Sequence, residues 1–191
     1  LHAGQLAEPG LGNGFDQNGN LHVLEPGQAL TWNLRNQLQR VTQVRRENGT
    51  DDDEIYVYDS SGVRALKITR ANGPRQPRLR EVYYLPGLEI RRNSATGEAL
   101  NLLRVEGELN SATVLQWEQG RPEAIDNEHV RFSLSDHLGS STLELDQKAR
   151  LLSQESYYPY GATAWWAGKN ALEASYKFVR YSGKERDASG L

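Results

Sequence analysis

The chain has 191 residues, a net charge of −3, a pI near 5.9 and a mean hydropathy of −0.70, with no cysteine and no methionine. That charge balance gives no broad electrostatic grip on nucleic acid or anionic lipid, and the missing cysteines remove disulfides, thiolate metal sites and cysteine nucleophiles together. No stretch approaches the roughly 20 apolar residues of a membrane span, and the first residues lack the basic and apolar regions of a signal peptide.

Residues 1 to 14 carry four glycines and a proline, read as a lead-in or as a strand borrowed from a neighbour. The absence of an initiator methionine fits a piece of a longer protein. Structure is expected from Phe15, where Phe15-Asp16-Gln17-Asn18-Gly19-Asn20 describes a tight reversal: Asp and Asn close an Asx-type turn, and Gly accepts positive φ. Leu30 to Leu34 resembles a strand, and Leu38, Val41 and Val44 continue a weakly apolar path. Arg45-Arg46 and Asp51-Asp52-Asp53-Glu54 read as solvated loop charge that largely cancels.

Alternation is clearer from Ile55. Ile55 to Tyr58 runs through Tyr58-Asp59-Ser60-Ser61-Gly62 and returns along Arg64 to Arg70, with Leu66 and Ile68 on one face and Lys67 and Thr69 on the other. Val82 to Leu85, Pro86-Gly87 and Leu88 to Arg91 make a second hairpin, and Asn93 to Gly97 closes the next reversal. Leu102–Val105, Thr113–Trp117, Val130–Leu134 and Leu143–Leu145 follow as strands, with a turn at 118–122 and Asp136-His137-Leu138-Gly139 between the last two. Residues 151 to 158 are extended and end at Tyr158-Pro159-Tyr160-Gly161. One short helix is expected within 167–175, after which Tyr176 to Tyr181 returns to strand.

The expected fold class is therefore mostly all-β, stacked antiparallel hairpins with at most one short helix. Eighteen glycines, nine tyrosines and a hydrophobic fraction of 37% fit a thin sheet wetted on both sides better than thick apolar helices. The expected domains are a lead-in or borrowed strand at 1–14, a hairpin-repeat region at 15–161 and, at 162–191, the truncated start of a further region.

Few residue patterns in the chain carry chemistry. Asp16-x-Asn18-x-Asn20 suggests a calcium loop, but Leu21 and Gly27 stand where an EF-hand needs Gly and a bidentate Glu. Gly183-Lys184 suggests a phosphate loop, but Phe178 replaces the first glycine and Glu185 the Ser or Thr. His2, His22, His129 and His137 are dispersed, read as surface or turn residues, and no G-x-S-x-G elbow occurs. No catalytic residue, cofactor site or metal site is assigned, and the chain is expected not to be an enzyme. Trp117, Trp165 and Trp166 are read as core packing, with stacking on sugar rings as the alternative.

In order, the phrases at Phe15-Asp16-Gly19, Tyr58-Asp59-Gly62, Tyr84 to Glu89, Asp136-His137-Gly139 onward to Asp146, Tyr158-Pro159-Gly161 and Tyr181-Gly183-Arg186-Asp187 resemble the RHS/YD-repeat family. Leu115 to Pro122 ahead of the Asp136 block is further similar to the C subunits of bacterial ABC (Tc) insecticidal toxin complexes. The resemblance implies a shell of β-hairpins that, with a B subunit, encloses the subunit's own C-terminal toxic segment, in a secreted or cell-surface complex. It implies no cofactor, no nucleic acid and no membrane contact by this segment. The named residues become repeat-motif structural positions; the family's autoproteolytic aspartates lie beyond Leu191, so Asp187 receives no catalytic role. A cell-surface adhesion or carbohydrate-binding module of the same repeat type is the alternative.

Overall fold

A computed structural model describes residues 14–47, 49–73 and 76–190, so all of the expected lead-in at 1–14 except its last residue lies outside the described residues. It divides into two compact units, one ending at Arg78 and one from Leu79. In the first, two isolated bridges, Phe15 with Leu21 and Val23 with Ala29, precede β1 (Leu30–Trp32), β2 (Leu38–Val44), β3 (Asp52–Tyr58) and β4 (Arg64–Ala71), each antiparallel to the next. Val41 and Tyr56 are its buried hydrophobics, and Tyr58 donates its hydroxyl to the Leu38 carbonyl across β2 at 2.7 Å.

The second unit runs β5 (Arg78–Leu85), β6 (Leu88–Asn93), β7 (Glu98–Glu106), β8 (Asn110–Gln119), β9 (His129–Ser135), β10 (Ser141–Asp146), β11 (Leu151–Tyr157) and β12 (Thr163–Gly168), again antiparallel in chain order. The β5–β6 join is a two-residue loop, Leu85 facing Leu88, with Gly87 at φ +69°. Proline at the first loop position forbids positive φ there, so the loop is a type II turn and needs glycine second. One helix, α1 (Ala171–Ser175), follows β12; the Asn170 side chain accepts from the Glu173 N–H at 2.8 Å as its N-cap.

The mostly-β class with one short helix holds. Three local expectations do not. The acidic run is no loop: Asp52, Asp53 and Glu54 open β3, where cross-strand arginines compensate carboxylates that a bare count of charges assigns to water. Ala167 and Gly168 belong to β12, because the Trp165-Trp166 pair that precedes them favours strand and α1 starts only after its cap. Tyr176 to Tyr181 does not return to the ladder; among the described residues its one bridge is that of Val179 with Glu185, while Tyr176, Lys177, Phe178 and Arg180 meet the sheet's face.

That face is covered, which corrects the picture of a sheet wet on both sides. Leu100, Leu102, Leu115, Trp117 and Ile125 form a buried cluster capped by Leu172 of α1 and by Tyr176 and Phe178. The register places Tyr84, Glu89, Leu102 and Leu115 on this face, and Arg131, Glu144, Ser153 and Glu155 further along it. The opposite face carries Leu85, Leu103, Val105, Phe132, Leu134 and Leu151, all exposed. In the first unit the same inversion appears in β3 and β4: Glu54, Tyr56 and Lys67 are buried while Val57 is exposed.

Candidate functional site

One five-residue turn recurs through both units and underlies most of the motif positions. At Asp59 the N–H of the first residue donates to the carbonyl of the fifth, Val63, at 2.9 Å, and the fourth, Gly62, donates back to the first carbonyl at 3.2 Å. The Asp59 carboxylate then accepts from the N–H groups of Ser61 and Val63 at 2.8 and 2.9 Å. Asp16 with Gly19 and Asp136 with Gly139 repeat this arrangement, the fourth residue lying in the left-handed region each time.

Sequence reasoning missed two more copies. Asn33 accepts from Arg35 and Gln37, and Asp146 from Lys148 and Arg150, but their fourth positions hold Asn36 and Ala149, both at φ +58°. The signal was an Asp or Asn at the end of one strand, four residues before the next resumes; without the glycine it went unread. The four turns that join ladder strands, at Asn33, Asp59, Asp136 and Asp146, are each matched by a register shift in the adjoining ladder, the bulge that an extra left-handed residue produces.

The carboxylates in these turns are held low. Asp146 falls to about 2, chiefly because the Arg150 N–H binds its charged form, with the Arg150 guanidinium adding to the effect. Asp16 is lowered first by the Asn20 side chain and then by the Asn20 N–H. At Asp136 burial pushes the carboxyl up, but the N–H groups of Ser140 and Leu138 outweigh it.

The remaining motif positions gather in the second unit. Tyr158-Pro159-Gly161 makes the same backbone turn without an acidic side chain, and the Tyr181 hydroxyl donates to the Pro159 carbonyl at 2.7 Å. A Cβ on Gly161 would stand 2.8 Å from the Tyr181 ring, and its φ of +90° is itself a glycine conformation. The Ser182 N–H donates to Ser140 Oγ and the Ser141 N–H to the Arg180 carbonyl, so the Asp136 turn and the Tyr181–Gly183 turn are tied together. Asp187 is buried, Arg186 and His137 are exposed, and Phe15, Asp16, Gly19, Tyr58, Asp59 and Gly62 lie in the first unit.

Beneath the strap formed by Tyr176 to Asp187 lies a cluster of charges that no sequence pattern singled out. Arg131, 2% exposed, pairs with Glu144 of β10 at 2.9 Å and with Glu173 of α1 at 3.2 Å, and also donates to the Glu173 carbonyl. Glu155 receives Lys177 at 3.1 Å, Arg180 at 2.7 Å and the Thr163 hydroxyl at 2.6 Å. Burial pushes the Glu155 carboxyl up, but Thr163, Lys177 and Arg180 overcome it and hold the group below the usual carboxylate range. Burial drives the Tyr157 phenol upward, with Glu155 beside it adding to the shift.

Two further anchors hold the strap. Glu185 pairs with Arg91 at 3.0 Å and accepts from the Tyr84 hydroxyl at 2.5 Å, while Phe178 lies under the Arg91 guanidinium at 3.8 Å. The Tyr176 hydroxyl donates to Glu98 at 2.7 Å, and its ring meets Trp117 edge-on. These ions are arranged as mutually neutralised pairs, the arrangement that makes burial of charge tolerable and fixes geometry. His129, expected at the surface, is a strand residue largely covered beside Glu173, and burial depresses its pKa. Trp117 is core; Trp166 is flanked by Lys177 and Arg180, and Trp165 is half exposed.

Among the described residues no group of three or more His, Asp or Glu is placed to hold a metal ion, and no helix is long and apolar enough to cross a membrane. No family model matches the chain. Two curated relatives do: toxin subunits YenC2 and YenC1 of Yersinia entomophaga, 44% and 42% identical over 93% of this chain. The chain spans about a fifth of their length, 19% of each. Among solved structures, a TcdB2–TccC3 complex matches with TM-score 0.88 at 48% identity, and so does a Tc holotoxin pore from Photorhabdus luminescens. Each match covers 93% of this chain, and 9% and 8% of those chains respectively. With hairpins in strict chain order, the recurring Asx turns and these likenesses, the chain matches an RHS segment of the TccC-like C subunits of Tc toxins.

Proposed function

We propose that this segment is a length of container wall: within its parent subunit, and together with a B-type partner, it helps enclose the subunit's own C-terminal toxic part in a secreted complex. The observation that carries the reading is the use of polar groups. In the second unit the buried cations and carboxylates close on one another to pin α1 and the strap to the sheet, an investment in rigidity. The motif residues Asp16, Asp59, Asp136, Gly139, Gly161 and Tyr181 then act as turn-formers and strap contacts, and the segment's work is mechanical, not catalytic. The likeness to TccC3 in complex with TcdB2 supports the choice of partner.

The test is protease protection of the C-terminal part in the complete subunit purified with its B partner. Protection lost in Arg131→Ala/Glu155→Ala, while the two subunits stay associated, is the expected result. A C-terminal part digested equally fast in assembled wild type and in free subunit overturns the reading. Adhesion through aromatic stacking retains only Trp165 as an exposed ring on β12, since Trp117 is core; saturable glycan binding abolished by Trp165→Ala would favour it.

A further inference from the structure

The strap and the sheet enclose a cavity of about 20 Å³ in the second unit, roofed by Phe178 and lined by Arg104, Arg131, Glu144, Ser111, Thr113 and Ser133 of the covered face. Arg131 is the informative wall. Its two terminal nitrogens are taken by Glu144 and Glu173, but its Nε is buried and has no hydrogen-bond partner among the described residues. Buried N–H groups, above all on a charged side chain, are almost always paired.

The walls decide what pairs with it. A cation is repelled by Arg131 and by Arg104, while an anion meets the Glu144 carboxylate in a lining whose two cations already have carboxylate partners, Arg131 in Glu144 and Glu173 and Arg104 in Glu89. A water molecule suits both, since it accepts from one wall and donates to the other, and three hydroxyls can turn to complete its shell. A site needs roughly 10–15 Å³ of such volume and two to four polar partners to hold one water, and this cavity meets both conditions.

We propose that a single ordered water is built into this joint, accepting from Arg131 Nε and donating toward Glu144 or the β8 and β9 hydroxyls. It makes the docking of the strap partly water-mediated, so that the guanidinium is fully satisfied only when strap, sheet and water are all present. The inference rests on the second unit alone, whatever the whole subunit encloses. The test is a high-resolution crystal structure of the complete subunit with its B partner, grown in bromide and measured at the bromine edge. One spherical peak at about 2.7–3.2 Å from Arg131 Nε, without anomalous signal, is the expected result. An anomalous peak there makes it a halide site and overturns the proposal; so does a cavity without density.

Discussion

Asp53 and Glu155 are both carboxylates whose side chains are fully withdrawn from water, and each is held by two cations, yet they solve the problem differently. Asp53 in the first unit is neutralised within the sheet: Arg70 lies directly across on β4 at 2.6 Å and Arg40 on β2 at 2.7 Å, both about one-third exposed. Glu155 in the second unit is neutralised from another layer, by Lys177 and Arg180 of a strap that begins some twenty residues later, and Lys177 is itself fully covered. In-sheet pairing lets the cation heads reach solvent, whereas cross-layer pairing seals the ions in. The first stiffens a hairpin; the second fastens a separate piece of chain to the sheet.

The contrast is broken most severely at Arg131→Met, which leaves Glu144 and Glu173 buried without their shared cation. Loss of a partner from a buried pair costs about 3–5 kcal/mol. A correspondingly large drop in the unfolding midpoint is expected, with faster amide exchange in residues 171–187. A loss under about 1 kcal/mol would put this cluster on the footing of a surface pair.

Asp53→Asn is the matched change in the first unit. Its arginines can rehydrate, so the expected cost is smaller, about 1–2 kcal/mol, read from the same midpoint. A cost equal to that of Arg131→Met would erase the distinction between the two arrangements.

Acid sharpens the comparison further. The Asp146 carboxyl falls to about 2 in the folded chain, so its contribution is complete above its unfolded value near 4 and is lost as pH falls toward 2. Glu155, also lowered, follows the same sign, so the strap should stay docked at mildly acidic pH and loosen only beneath the ordinary carboxylate range. Exchange rates of the strap amides across a pH series check this in a His129→Gln background, since the wild-type imidazole, held low by burial, removes stability below its unfolded value near 6.5; loosening near pH 6 in that background would contradict it.

The smallest effect serves as a control outside both clusters. Ala149 holds the left-handed fourth position that glycine fills in the Asp59 and Asp136 turns. Ala149→Gly relieves about 1–2 kcal/mol of left-handed strain and returns about 0.4–1 kcal/mol of unfolded-state entropy, for a net gain of about 0–1.6 kcal/mol. A destabilisation there would show that Ala149 is not strained as its φ implies.

These differences mark what the residues disclosed by themselves. Strand positions were legible wherever alternation was bounded by a turn phrase, as for β3–β4 and β5–β6, since period-2 patterning and turn chemistry are local. Three Asx turns were legible because glycine occupied the fourth position; those at Asn33 and Asp146 were not, because the same backbone is held there with Asn36 and Ala149. The direction of burial was not legible at all. Leu103, Val105, Phe132 and Leu134 alternate as a core face should, yet they are exposed, while Arg131, Glu144 and Glu155 are covered. That inversion depends on Lys177, Arg180 and Glu173 arriving from later in the chain with compensating charge. The Asp51–Glu54 run was misread for a related reason: its partners Arg40 and Arg70 flank it in space through register, not in sequence.

Limited proteolysis of the complete subunit assembled with its B partner, with cleavage sites mapped by mass spectrometry, tests most directly whether the segment is wall. The account predicts that residues 55–160 resist cleavage in the complex for as long as the shell persists. Rapid cutting throughout that span in the intact complex would contradict it.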